Sequence, residues 1–160
     1  MARLLRYRFS PMENNPRVLI IEDHDVLRVM LFTILRHQAP LAVDTAASAD
    51  DAMEKVETCD YALILIDMDL EDGDAESFLA RFRDFRPESK TFIIAVRDPN
   101  KITNIDARSV SAVLNKPLEI DTMADVVREC AIVVPPPEDP RPCPPAESEL
   151  RDTFERGPTN

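Results

Sequence analysis

Three apolar runs in this chain stop abruptly at polar or charged residues. Leu63-Ile64-Leu65-Ile66 ends at Asp67 and opens into Met68-Asp69-Leu70-Glu71-Asp72-Gly73-Asp74; Val18-Leu19-Ile20-Ile21 ends at Glu22-Asp23; Ala112-Val113-Leu114 is followed by Asn115-Lys116-Pro117. If Glu22, Asp23 and Asp67 meet, the cluster repels itself and raises its own pKa values unless a cation neutralises it. Hard oxygen donors with open positions suit Mg2+. Lys116 would bring a compact positive charge to the same place, able to pair with a carboxylate or a bound phosphoryl oxygen.

The elements that must position these residues can be read from the apolar pattern. A run such as Leu63–Ile66, without polar alternation, reads as a strand buried on both faces, as in a parallel sheet covered by helices. In open α/β sheets the ligand crevice lies outside the carboxyl ends of the strands, which is where Asp67 would sit. After Val18–Ile21, the residues Leu27, Met30, Leu31, Ile34 and Leu35 recur at helical spacing and mark one buried face. Leu41–Ala46 reads as the second strand. Ser48 with Asp51 forms a capping-box-like start to a helix bearing Ala52, Met53 and Val56. Asp74 is placed to cap a third helix carrying Phe78, Leu79, Phe82 and Phe85 as core, ended by Arg86-Pro87. Phe92–Val96 reads as strand four and Val110–Leu114 as strand five, with a short helix at best between Pro99 and Arg108. Asp121 would cap a last helix turning Met123, Val127 and Cys130 inward. This alternation implies right-handed crossovers and a doubly wound α/β fold with a five-stranded parallel sheet.

Glu22-Asp23, Asp67 and Lys116-Pro117, each at a strand end and in this order, make the chain resemble the receiver domain of two-component response regulators. The resemblance runs from about residue 17 to about residue 134. It implies the (βα)5 flavodoxin-like receiver fold with strand order 2-1-3-4-5. It also implies that Asp67 is the phosphoacceptor, that Glu22, Asp23 and Asp67 hold Mg2+ with the backbone carbonyl of Asp69, and that Lys116 contacts the acyl phosphate. The Asp69 side chain is expected to face solvent as a modulator. A histidine kinase or phosphotransfer protein would supply the phosphoryl group, and a protein partner downstream would receive the signal. The domain would not be an enzyme beyond slow autodephosphorylation. Receivers often pair through their fourth and fifth helices and the strand between, so a homodimer is open to this chain, although its fourth segment is short.

The departures from the receiver pattern bear on the readout. A Ser or Thr usually ends strand four, where this chain has Val96 or Arg97, and an aromatic usually stands at the position of Val113. Arg97, if it ends strand four, is expected to serve as a fixed cationic partner of the acidic pocket. Two functions follow: a single-domain regulator phosphorylated on Asp67, or a pseudo-receiver that docks a partner without phosphorylation. Other motifs fail on spacing. Asp67-Met68-Asp69 lacks the continuation of haloacid-dehalogenase-like phosphotransferases, and the acidic run misplaces the glycine and glutamate of a calcium loop. His24 reads as part of its loop, and His37 as a charge suited to a helix C-terminus.

Composition sets the limits. A chain of 160 residues, 44% apolar, can bury one good core. A net charge of −11 argues against direct binding to nucleic acid or anionic membrane. Cys59, Cys130 and Cys143 are odd in number and lack metal-ligand spacing, which fits a reducing cytoplasm. The leader at 1–15 reads as flexible and basic, and the receiver as 16–134. The segment 135–160, with eight of the 14 prolines, reads as a disordered polyproline-like tail.

Overall fold

The computed structural model describes residues 15–38 and 40–155. Five strands form one parallel sheet: β1 (Arg17–Ile21), β2 (Ala42–Ala46), β3 (Leu63–Asp67), β4 (Phe92–Arg97) and β5 (Ala112–Asn115), in the spatial order β2-β1-β3-β4-β5. The helices are α1 (Asp25–Gln38), α2 (Ala49–Thr58), α3 (Asp74–Phe85), α4 (Ile120–Val133) and α5 (Glu147–Glu155). The doubly wound architecture and the strand order expected from the sequence are therefore present. The basic leader lies outside the described residues except for Asn15.

The sheet is covered on both faces, which is why its central strands need no polar alternation. Leu19, Ile21, Ile64 and Ile66 pack with Met53, Val56, Phe78 and Phe82 on one side. Val18, Ile20, Leu63 and Leu65 pack with Leu31, Leu35, Met123 and Val127 on the other. Each fully buried side chain of this size contributes roughly 1.5–3 kcal/mol relative to exposure. The helical faces differ in detail from expectation. Met30 is 45% exposed while Phe32 is buried, the buried face of α1 being turned toward both β2 and α4. Phe85 is also largely exposed, with the Arg86 guanidinium 5.3 Å from its ring centroid.

Ser48 caps α2 as expected, its side chain accepting the Asp51 N–H at 3.1 Å. Asp74 and Asp121 do not cap; the N-cap positions belong to Gly73 and Glu119. Gly73 enters α3 at φ +70, a left-handed conformation that glycine adopts without steric cost. Asp74 instead accepts the Ala49 N–H at 3.4 Å, tying the start of α3 to that of α2. Residues 98–111 form turns without a helix, in keeping with the short spacing between β4 and Lys116. Strand five begins at Ala112 and extends to Asn115, slightly later than expected.

The expectation of a disordered tail is corrected for residues 135–155. Helix α5 lies against β2, the edge strand, whose outward N–H groups would otherwise lack partners. Ser148 Oγ accepts the Val43 N–H at 2.9 Å, Glu147 Oε1 accepts the Thr45 N–H at 3.0 Å, and the Glu147 N–H donates to Asp44 Oδ1 at 2.9 Å. Upstream, Arg141 donates to the carbonyls of Glu57 at 2.6 Å and Val56 at 3.0 Å, so a guanidinium sits at the negative end of α2. The same side chain pairs with Asp60 at 2.9 Å. Prolines that restrict the free chain reduce the entropy lost when these contacts form. A low apolar content was a poor guide because this segment is held by polar groups of the sheet edge and helix end.

The Asp60 contact predicts a pH response. Burial works to raise the Asp60 pKa, but the hydrogen bonds and charge of Arg141, with Arg86, outweigh it and hold the group below its ordinary value of 3.8. A depressed carboxylate stabilises the ordered segment above its ordinary pKa, and that contribution is lost as pH falls through the depressed value. The protection of the Val43 and Thr45 amides, relative to their intrinsic exchange rates, should therefore fall on acidification below about pH 4. In Asp60→Asn the exchange should already be faster at neutral pH, and it should lose this acid-dependent step. Equal acid dependence in both proteins would show that Asp60 does not hold the segment.

Candidate functional site

The register of the sheet brings the acids together. Ile21 of β1 lies beside Ile66 of β3, so the next residues, Glu22 and Asp67, emerge side by side at the carboxyl edge. Asp23 follows in the turn before α1. One carboxylate oxygen from each of Glu22, Asp23 and Asp67 lies within 4.8 Å of the others. Lys116 stands after Asn115, which pairs with Arg97 on β4. It must cross two strand spacings, about 9.6 Å, and does so: Nζ lies 2.9 and 3.0 Å from Asp67 Oδ1 and Oδ2. The Lys116–Pro117 peptide is cis.

Glu22 and Asp67 are buried, whereas Asp23 is exposed. Beneath them is an apolar hollow bounded by Leu27, Leu31, Leu65, Val96 and Met123. That burial, together with a hydrogen bond to Asp67 and its negative charge, pushes the Glu22 carboxyl up to about 8, against the opposing His24 N–H and Lys116. The cluster thus repels itself as the spacing of charges implied. His24 is a structural part of the turn: its N–H donates to Glu22 Oε1 at 3.1 Å, and its Nδ1 accepts the Leu27 N–H at 3.3 Å.

Asp69 overturns the expectation of a solvent-facing side chain. Its carboxylate is only 7% exposed; Oδ2 accepts from Lys116 Nζ at 2.9 Å and from the Asp98 N–H at 3.0 Å. Burial works to raise its pKa, but the Lys116 hydrogen bond and charge and the Asp98 N–H outweigh it and hold Asp69 below the usual carboxylate value. Burial works to lower the Lys116 pKa, while the bonds and charges of Asp69 and Asp67 overcome it, so the ammonium is held above its ordinary value. Lys116 therefore serves two carboxylates. Which way a side chain turns two residues beyond a strand depends on the neighbouring loop, here the start of residues 98–111, and nothing in local periodicity reports it.

Arg97 does end strand four, but it does not serve the pocket. Its Nε donates to Asn115 Oδ1 at 3.2 Å, and the positive charge at Asp67 and Asp69 comes from Lys116. Val96 is buried in register with Asp67, and Val113 is 41% exposed on the edge strand. The donor chemistry fits a hard divalent cation: three carboxylates converge, and Asp69 Oδ1 is a further buried acceptor without a hydrogen-bond partner among the described residues.

Fold and charges together define a flavodoxin-like α/β domain with an acidic, cation-suited crevice and one lysine at the carboxyl edge of its sheet. The family model for the response regulator receiver domain matches residues 18–128, and the chain belongs to that family. It is 28% identical over 114 residues to the transcriptional regulatory protein BasR of Escherichia coli K12, covering 70% of this chain and 50% of that protein. The chain thus spans about half the length of that curated relative. Among solved structures it resembles the receiver domain of the Francisella response regulator 1452, with TM-score 0.60, 20% identity, and coverage of 74% of this chain and 98% of that one. It also resembles the response regulator protein TrrA of Thermotoga maritima in complex with Mg2+ and BeF, with TM-score 0.60, 17% identity, and coverage of 72% and 98%. The signal receiver domain of a putative Luxo repressor protein from Vibrio parahaemolyticus matches with TM-score 0.61 and 20% identity, covering 88% of this chain and 98% of that one. Receiver domains are signalling domains of two-component systems and bind Mg2+ at an acidic pocket. No helix among the described residues is long and apolar enough to cross a membrane.

Proposed function

We propose that this receiver takes a phosphoryl group on Asp67 from a histidine kinase or phosphotransfer protein in the cytoplasm and signals by contact with a downstream protein. The observation that carries the reading is the convergence of Glu22, Asp23 and Asp67 within 4.8 Å, with Lys116 Nζ at 2.9 Å from the central carboxylate. Glu22, Asp23, Asp67 and the Asp69 backbone carbonyl would hold Mg2+. The ion would offset negative charge on the carboxylates and the incoming phosphoryl group. Asp67 supplies the nucleophilic oxygen, oriented by the Asp69 N–H at 2.8 Å and by Lys116. As the new oxygen–phosphorus bond forms, the donor's bond to phosphorus breaks, and Lys116 transfers its contact to a phosphoryl oxygen. The test is labelling by acetyl phosphate with and without Mg2+: a Mg2+-dependent acyl phosphate is expected, and no label under either condition would reject the reading.

Asp69 tempers this chemistry. It holds Lys116 and the Asp98 N–H, two donors otherwise available to a phosphoryl group, and adds a negative charge beside it. Asp69→Asn keeps an acceptor for Asp98 and removes the charge. At an effective dielectric of about 20, a unit charge about 6 Å away is worth on the order of 3 kcal/mol, so even with half of it screened steady-state phosphoryl occupancy should rise about tenfold or more. Lower occupancy in that variant would mean that Asp69 assists the transfer.

A second reading, a docking module acting without phosphorylation, is favoured by two features. Residues 98–111 carry no helix, and Arg97 is engaged by Asn115 where receivers usually place a mobile hydroxyl. Failure of acetyl phosphate to label the protein would select it. We assign residues 16–134 to the receiver unit, with the segment after it serving as a strap along the β2 edge.

A further inference from the structure

Cys59 and Cys143, 84 positions apart in the sequence, meet at the end of α2. Cys59 is the C-cap of that helix, its N–H bonded to the Lys55 carbonyl at 2.9 Å, and its side chain is buried. Cys143 is exposed and lies between two anchors of the strap. On one side Arg141 grips the last carbonyls of α2 and Asp60. On the other the Pro144 carbonyl accepts from Arg17 Nη1 at 2.6 Å. The same Arg17 nitrogen lies 3.0 Å from Cys143 Sγ, and Arg141, two residues before Cys143, bonds Asp60, the residue after Cys59, so the two thiols are neighbours close enough to act on each other. Three prolines, Pro142, Pro144 and Pro145, limit the freedom of the strap around the sulfur.

We propose that Cys59 and Cys143 form a redox-modification site: a hydroperoxide oxidises Cys143, and Cys59 resolves it to a disulfide that fastens the strap to the domain. The exposed Cys143 sulfur attacks the peroxide, whose O–O bond breaks; sulfenic acid forms and one water, or the alcohol of an organic hydroperoxide, departs. Cys59 sulfur then attacks the sulfenic sulfur, the S–S bond forms, and the hydroxyl leaves with the thiol proton as water. Two thiols are oxidised and one peroxide is reduced. Arg17 places a guanidinium beside the sulfur on which negative charge develops. Burial and the neighbouring Cys143 thiol push the Cys59 thiol up to about 12, so it stays protonated and shielded until its neighbour is oxidised. In a reducing compartment such a pair reports oxidant and has no structural duty.

The consequence falls on the β2 edge. A disulfide at Cys143 tethers the chain just before Ala146 and α5, which covers the Val43 and Thr45 N–H groups. The experiment treats the full chain with hydrogen peroxide, blocks free thiols by alkylation, and reads the intact mass, the peptide map and amide exchange. A loss equal to two hydrogen atoms, a peptide pair joining Cys59 to Cys143, an alkylated Cys130, and slower exchange at Val43 and Thr45 are expected. A dithiol reductant should reverse all of these. Cys143→Ser, at an exposed position that does not endanger the core, should abolish both the link and the change in exchange. Conversion of Cys143 to sulfinic or sulfonic acid without linkage, a link through Cys130, or unchanged exchange in the linked protein would overturn the proposal.

Discussion

An Asp67→Asn variant is expected to take up no phosphoryl label from acetyl phosphate, with or without Mg2+. The amide differs from the carboxylate by one atom and keeps an oxygen that can accept the Asp69 N–H and one Lys116 contact, so the fold should survive. What disappears is the anionic oxygen that must bond to phosphorus. Circular dichroism and thermal unfolding of the variant separate loss of chemistry from loss of structure. Label retained at the level of the unaltered protein would place the phosphoacceptor elsewhere. Asp23 is the nearest alternative because it is the exposed member of the cluster.

The second large effect concerns the ion. With Glu22 pushed up to about 8, its carboxyl carries a proton across much of the neutral range. A cation must displace that proton, so apparent Mg2+ affinity should climb by up to about tenfold per pH unit on approaching about pH 8, then level off. The stability of the metal-free protein runs the other way. The folded pKa lies above the ordinary value of 4.5, so this group's contribution is complete below that value and is lost as pH rises through about 8. Added Mg2+ should therefore raise the melting temperature more at about pH 8 than at about pH 6. Asp23→Ala should remove most of this shift at both, because it deletes an exposed ligand without opening the core. A shift that is independent of pH, or that persists in Asp23→Ala, would show that Mg2+ binds away from the cluster.

Asp69 also distinguishes this pocket from a simple acid triad. One ammonium is divided between Asp67 and Asp69, so on the proposed phosphorylation of the first, its contacts with the second would have to change. Because Asp69 is also bonded to the Asp98 N–H, that exchange would be felt at the start of residues 98–111. Under that proposal the contacts from Asp67 to this segment would run through the Asp69 carboxylate and the Asp98 amide, whereas Arg97 is tied to Asn115.

The sequence by itself determined the sheet and the edge at which Glu22, Asp23, Asp67 and Lys116 gather. Buried runs such as Leu63–Ile66 have few conformations that hide every side chain, and parallel neighbours in register must bring Glu22 beside Asp67. Ser48 with Asp51 was legible for the same reason: a cap is a local contact within one turn. Other features required the tertiary structure because their partners are far away in the chain. The turn of Asp69 inward depends on Asp98 and Lys116, and the engagement of Arg97 depends on Asn115. Helix α5 did carry a local sign, since Glu149 accepts the Ala146 N–H at 2.9 Å three residues back, but its place on β2 comes from Ser148 and Glu147 meeting edge amides more than 100 residues away. The approach of Cys143 to Cys59 was likewise invisible in spacing: it exists because Arg141 fits the end of α2 and Arg17 reaches Pro144. Local sequence specifies which element forms and which residue ends it, while contacts between polar side chains depend on the distances that folding closes.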